Sequence, residues 1–237
     1  MKSTNNDNLA VLIDADNAQA SPVHELLEEV SRYGTANVKR AYGDWSTPQL
    51  KKWKDELHTH AIKPVQQFSY TKGKNATDSA LIIDAMDLLH TGDLNGFCLV
   101  SSDSDFTPLA ARIREAGLKV YGFGERKTPQ PFVAACDKFI YTDILKPQKT
   151  KATKGEPKGP SPKKKLLEAV DKAAQDDGWA HLGTVGTMLL KNDPAFDSRN
   201  YGYKKLVELV KAQSYLEVKK ERIESGSGGA TILVKLR

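Results

Sequence analysis

The stretch Phe97-Cys98-Leu99-Val100-Ser101-Ser102-Asp103-Ser104-Asp105-Phe106 decides how the rest of the chain reads. Four consecutive apolar residues with no polar alternation are the pattern of a strand buried on both faces of a parallel sheet. The run stops at two carboxylates two residues apart. Beyond them, Thr107, Pro108 and Leu109-Ala110-Ala111-Arg112-Ile113 read as an N-cap, a proline at the first helical position and an amphipathic helix. This order of strand, acidic turn and helix predicts that Asp103 and Asp105 stand at the carboxyl end of a central strand, where open α/β sheets bind their ligands.

Working outward, Leu9-Ala10-Val11-Leu12-Ile13 is a second continuous apolar run, ending at Asp14-Ala15-Asp16-Asn17. Ser21-Pro22 opens a helix to about Ser31 that Gly34 stops. Val38 to Gly43 reads as a strand, Pro48 to His58 as a helix and Ile62 to Val65 as a short strand. Phe68 to Asn75 has no period and reads as a loop. Thr77 to Leu89 is a helix that Thr77 or Asn75 can cap. At about 100° per residue, Leu81, Ile82, Ala85, Leu88 and Leu89 share one stripe, with Asp78 inward at its start and Asp84 and Asp87 on the opposite, solvated side. Gly117 suits a C-cap, Lys119 to Gly124 a further strand, Pro131 to Cys136 a short helix and Phe139 to Tyr141 an edge strand. The alternation predicts an α/β fold, a parallel sheet sandwiched by helices, over residues 1–146.

Residues 147–161 are Lys, Pro, Gly, Thr and Ser with almost no apolar side chain, the composition of a flexible basic linker. A second fold over 162–237 starts with a helix from Ser161-Pro162 to about Asp176. Asp177 to Gly183 reads as a turn leading into a short helix that reaches Leu190, and Asn200 to Val210 as a third helix. Tyr215 to Lys219 and Thr231 to Lys235 alternate like strands, joined across Ser225 to Gly229. Three helices and a terminal hairpin predict a small winged helix-turn-helix. Its aromatic residues Trp179, Phe196, Tyr201 and Tyr203 are expected mostly in the core rather than as a base-stacking platform, and His181 is expected to be structural.

Charge separates the two parts. Residues 1–147 hold 17 Lys+Arg against 19 Asp+Glu, a balance of −2, whereas 148–237 hold 18 against 11, a balance of +7. A basic module joined to a near-neutral one suits a polyanionic partner. Hydrophobic content of 39% and charged content of 27% are ordinary for a soluble domain, and no apolar run is long enough to cross a membrane. The polar first residues lack the apolar segment of a secretory signal, so a cytoplasmic location is expected. Cys98 and Cys136 lack CxxC spacing and a nearby His, so buried thiols are expected rather than a redox or zinc role.

Three segments deliver acids to one edge of the predicted sheet: Asp14 and Asp16, Asp78, and Asp103 with Asp105. Crowded carboxylates repel, and burying them is costly unless they are paired or bind a cation. A hard oxygen set with few histidines favours Mg²⁺ or Mn²⁺, which activate water for attack on phosphate. The plainer reading is that Asp14 and Asp103 merely cap helices or turns, and Asp16 is the weakest candidate of the set, since a tight DxDN turn can easily point it to solvent. An apolar strand followed by DxD also resembles the opening of haloacid-dehalogenase-type phosphatases, with Asp14 as nucleophile and Asp16 as acid/base, although Asn17 stands where Thr or Val is usual.

Leu12-Ile13-Asp14-Ala15-Asp16-Asn17, Lys74-Asn75-Ala76-Thr77-Asp78 with Asp84 beyond it, and Ser101-Ser102-Asp103-Ser104-Asp105-Phe106 with Gly117 and Val120-Tyr121-Gly122 together resemble the NYN domain, a branch of the PIN-like nucleases, over about residues 8–145. Residues 161–237, above all Phe196-Asp197-Ser198-Arg199-Asn200-Tyr201-Gly202-Tyr203-Lys204-Lys205-Leu206, resemble the LOTUS or OST-HTH domain, which is associated with RNA binding. The resemblance implies a metal-dependent ribonuclease, expected to be an endoribonuclease, with Asp14, Asp78, Asp103 and Asp105 as catalytic and metal-binding acids, Asn17 as a polar helper, and Mg²⁺ or Mn²⁺ as cofactor. Lys72, Lys74, Lys204 and Lys205 are the candidate contacts to single-stranded RNA. No membrane partner is expected, and a homodimer is a candidate assembly. The rival from another class is a non-catalytic RNA-binding adaptor that keeps the PIN-like fold.

Overall fold

The computed structural model describes residues 7–68, 76–145, 161–222 and 230–237. The chain divides into two compact units, Met1–Pro147 and Gln148–Arg237. The expected linker over 147–161 falls almost wholly outside the described residues, as do Lys72, Lys74, the alternative cap Asn75 and the Ser225 to Gly229 connection.

In the first unit β1 (Asn8–Asp14), α1 (Val23–Val30), β2 (Thr35–Gly43), α2 (Trp53–Thr59), β3 (Lys63–Gln66), α3 (Ala76–Thr91), β4 (Gly96–Val100), α4 (Thr107–Glu115), β5 (Lys119–Gly124), α5 (Gln130–Ala135) and β6 (Lys138–Tyr141) alternate as the sequence predicts. The expected helix at Pro48 begins as a 3-10 turn, Pro48–Lys52, before α2. All pairings are parallel, in the order β3-β2-β1-β4-β5-β6. The two continuous apolar runs became the two central strands, where both faces are covered along nearly the whole length; every residue of β4 is buried, and all of β1 after Asn8.

Alternation along β1 divides its side chains between two layers. Leu9, Val11 and Ile13 pack with Val23, Leu26 and Val30 of α1 and with Trp53 and Leu57 of α2. On the other face, Arg40 and Tyr42 of β2 reach Asp84 of α3. Cys98 and Cys136 are buried free thiols, and burial pushes both upward in pKa, Cys136 to about 12, so neither is poised for redox chemistry at neutral pH.

The chain reverses between β1 and β4. From β1 it runs through β2 to β3 on one side, then crosses to β4 and continues to β6 on the other. Adjacent strands whose connections leave in opposite directions open a crevice at their carboxyl ends, the switch point at which open α/β sheets bind ligands. Asp14 ends one of these strands, and Ser101 follows the other.

In the second unit α6 (Lys163–Ala173), β7 (Trp179–His181), α7 (Leu182–Asn192), α8 (Leu206–Lys211), β8 (Leu216–Arg222) and β9 (Ala230–Leu236) build three helices against an antiparallel sheet ordered β7-β9-β8. Two expectations are corrected. The segment before α7 is a strand rather than a plain turn, because Ala180 pairs with Val234 and is buried there. The expected helix from Asn200 is broken into a 3-10 turn, Ser198–Tyr201, and the shorter α8, with Gly202 at φ +84 between them. Among the described residues no helix is long and apolar enough to cross a membrane.

Candidate metal centre

At the end of β1, Ala15 N still donates to Tyr42 O at 2.9 Å, and Ala18 N turns back onto Asp14 O at 2.8 Å. The Asp14 side chain is fully buried, with both oxygens engaged. Its Oδ1 accepts from Asn17 N at 3.3 Å, and its Oδ2 accepts from Asn17 Nδ2 at 3.0 Å and Ser101 Oγ at 2.7 Å. Burial pushes the Asp14 carboxyl above its usual range, the hydrogen bonds from Ser101 and Asn17 pull it back, and the charge of Asp16 adds to the upward push. Asn17 therefore orients Asp14 directly.

Ser101, which sequence reasoning passed over, joins the two strand ends. Its Oγ donates to Asp14 and accepts from Asp103 N at 3.1 Å, while its backbone N donates to Phe123 O at 3.0 Å. Ser102 Oγ accepts from Glu125 N at 2.8 Å, so the paired hydroxyls before the acids brace the turn on both sides. Asp103 Oδ1 accepts from Asp105 N at 2.9 Å and caps a 3-10 turn, Ser104–Phe106, that leads into α4. The cap expected at Thr107 is thus Asp103, and Thr107 Oγ1 is buried with no hydrogen-bond partner among the described residues. Capping engages Asp103 Oδ1; no described residue hydrogen-bonds Oδ2.

Asp78 lies in the first turn of α3 and faces inward as the helical spacing predicts, at 9% exposure. One carboxylate oxygen each from Asp78, Asp103 and Asp105 lie within 4.8 Å of one another. Burial raises the Asp78 carboxyl to about 6, and the negative charges of Asp14, Asp103, Asp105 and Asp16 push in the same direction. Asp14 acts on this cluster through its charge but is not one of the three converging oxygens. Three hard oxygen donors of mutually repelling charge, without a nitrogen or sulfur donor among them, fit Mg²⁺ or Mn²⁺.

Two acids differ from their expected surroundings. Asp16 is exposed, yet both of its oxygens are engaged: Oδ2 accepts from Thr77 Oγ1 at 2.8 Å and Oδ1 from Asp44 N at 3.3 Å. It ties the turn after β1 to the residue before Asp78, which engages Thr77 otherwise than as the expected cap. Asp84 is not a solvated helix charge, because its carboxylate pairs with the Arg40 guanidinium and accepts from the Tyr42 hydroxyl. The wheel missed this because both partners come from β2, far away in sequence. Asp87 is exposed as expected. Asp84→Ala leaves the half-buried Arg40 and the fully buried Tyr42 without their carboxylate, and we expect it to destabilise the first unit by about 1–3 kcal/mol in urea unfolding.

Lys204 and Lys205 are exposed at the start of α8, where Lys204 N donates to Glu208 Oε2 at 3.1 Å. His181 is exposed on β7 rather than a packed structural residue. Asp14, the nucleophile of the phosphatase reading, has no exposed surface from which to attack a phosphate ester.

A six-stranded parallel sheet flanked by helices, with an acidic cluster at its switch point and a small helical domain following it, defines a PIN-like α/β protein with an appended winged-helix-like module. The chain belongs to the NYN domain family, which matches residues 8–145, and its residues 160–227 match the OST-HTH/LOTUS domain. Both families connect it to nuclease and RNA-binding roles. Among solved structures, the chain is similar to VPA0982, a protein of unknown function from Vibrio parahaemolyticus RIMD 2210633, at 20% identity over 60% of this chain and 96% of that one, with a TM-score of 0.50, a likeness of fold. It is also similar to an uncharacterized protein from gene locus NE0665 of Nitrosomonas europaea, at 34% identity over 38% of this chain and 86% of that one, with a TM-score of 0.33. A protein segment from Chromobacterium violaceum matches at 32% identity over 35% of this chain and 86% of its own length, with a TM-score of 0.27. No curated protein matches the chain.

Proposed function

We propose that this protein is a metal-dependent endoribonuclease whose second domain holds single-stranded RNA. The observation that carries this reading is the convergence of Asp78, Asp103 and Asp105 within 4.8 Å at the crevice between β1 and β4, without a lysine or arginine ion pair to Asp78 or Asp103 among the described residues. In this reading those three acids hold Mg²⁺ or Mn²⁺, and the buried Asp14 fixes Asn17 and the Ser101 turn behind them. A bound divalent ion supplies positive charge for the scissile phosphate and makes water a better nucleophile at neutral pH. Asn17, exposed beside the acids, offers an amide to substrate or water, while the linker lysines, Lys72, Lys74, Lys204 and Lys205 contribute sequence-independent attraction to phosphates.

The test is cleavage of an internally labelled single-stranded RNA with Mn²⁺, with Mg²⁺ and with EDTA. Internal products that form only with a divalent ion support the reading. Tight RNA binding with no cleavage under any of the three conditions overturns it in favour of the non-catalytic adaptor.

A further inference from the structure

We propose that the outer face of the β7-β9-β8 sheet, centred on Trp179, is a binding site for an unpaired base of single-stranded RNA and its adjoining phosphates. This rests on the RNA-binding part of the function above and assigns it a place. Of the five aromatic residues in the second unit, Phe196 is in the hydrophobic core and Tyr201, Tyr203 and Tyr215 pack against it; Trp179 alone stands off that core, half-buried. Strand alternation explains why. Ala180, Val234 and Val218 face the core in register across the three strands, which turns Trp179, Lys235 and Lys219 to the opposite face.

Two ammonium groups crowd this indole. Lys219 Nζ lies 4.4 Å from the ring centroid and Lys235 Nζ 5.9 Å from it. Lys235 is held in place, since its Nζ donates to Asp177 O at 2.9 Å and its chain crosses Gly178, where an added Cβ would meet Lys235 Cε at 3.1 Å. Gly178 also sits at φ +79 in the turn before Trp179, a backbone that only glycine adopts freely. Lys219 makes no ion pair with a described residue, although Glu217 and Glu221 lie on the same strand. A surface indole flanked by cations, on a unit with a balance of +7, is complementary to a nucleobase bearing phosphates. The base stacks on the indole, displacing the Lys219 ammonium towards the backbone oxygens, while Lys235 stays anchored on Asp177 O and adds its charge beside them.

The test uses the full chain carrying Asp103→Asn in EDTA, so that cleavage does not interfere, and a fluorescein-labelled oligouridine of about 12 nucleotides, within the site sizes common for single-strand binders. Trp179→Ala is expected to weaken binding by about tenfold or more, the loss typical of one stacked base. Trp179→Phe, which keeps an aromatic face and guards against misfolding, is expected to retain most of the affinity. Lys219→Gln is expected to lower the slope of log affinity against log salt by about one. Duplex RNA, with no unpaired base to stack, is expected to bind more weakly and to be indifferent to Trp179→Ala. If Trp179→Ala and Lys219→Gln both bind oligouridine as the parent does, the proposal is overturned and the face is left to a protein partner. That result does not touch the nuclease reading, which stands on cleavage by the unsubstituted chain. Conversely, binding that depends on Trp179 in a chain that never cleaves RNA supports this proposal and removes only the nuclease reading.

Discussion

Asp103→Asn is expected to abolish Mn²⁺-dependent cleavage of single-stranded RNA, by on the order of 10³-fold or more, since a catalytic cation is worth several kcal/mol and each decade in rate takes about 1.4 kcal/mol. The fold should survive. Asparagine has nearly the same volume, and its side-chain oxygen can still accept from Asp105 N, the hydrogen bond that Asp103 Oδ1 makes at 2.9 Å to cap the turn into α4. The substitution removes one of the negative charges that push the Asp78 carboxyl up to about 6, so in EDTA the variant should melt no lower than the parent. A residue serving only as a cap behaves otherwise, because Asn caps nearly as well as Asp and activity would be kept. Cleavage by Asp103→Asn at the parent rate therefore sinks the assignment. Asp105→Asn should act in the same direction with a smaller loss, since Asp105 is the exposed member of the three.

The second large effect is the pH dependence of stability through Asp78. Its folded pKa is about 6 against an ordinary 3.8, so between those values the folded protein binds more protons than the unfolded chain. Stability from this group is therefore lost as pH rises from about 4 to 6, by an amount on the order of 1–3 kcal/mol, because each pH unit separating the folded and unfolded values is worth about 1.4 kcal/mol. Asp78→Asn should flatten that part of the melting profile in EDTA and be the more stable protein above pH 6. A divalent cation and a proton compete for the same carboxylate. The rise in Tm on adding Mn²⁺ should accordingly be small below about pH 5, grow as Asp78 deprotonates, and shrink in Asp78→Asn. A Mn²⁺ effect of equal size in parent and Asp78→Asn would remove Asp78 from the ligand set.

The layout of the first unit was legible in the sequence wherever burial is two-sided. Leu9 to Ile13 and Phe97 to Val100 read as central strands because a parallel sheet covered on both faces tolerates no polar alternation, and the acids after each run mark its carboxyl end. The inward aspect of Asp78 was legible because a helix repeats regularly. The same regularity misread Asp84, whose surroundings are set by Arg40 and Tyr42 on β2 rather than by its own helix. β7 escaped notice for a related reason. Three residues carry almost no period, and Trp179 to His181 is a strand only because β9, more than fifty positions later, pairs with it. The run from Asn200 looked helical throughout, but the left-handed backbone at Gly202 divides it.

By itself, then, the sequence determined that several acids would gather at one edge of a parallel sheet and that a basic domain would follow. Only the tertiary structure decided which oxygens meet. Asp78, Asp103 and Asp105 converge, whereas Asp14 is held back by Ser101 and Asn17, and Asp16 is turned aside to Thr77 and Asp44. Strand ends can be read from local composition, but the direction of a carboxylate depends on which strand lies beside it. Here β1 pairs with β4 across almost ninety positions of chain, and the Ser101 hydroxyl that this pairing delivers sets the direction of Asp14.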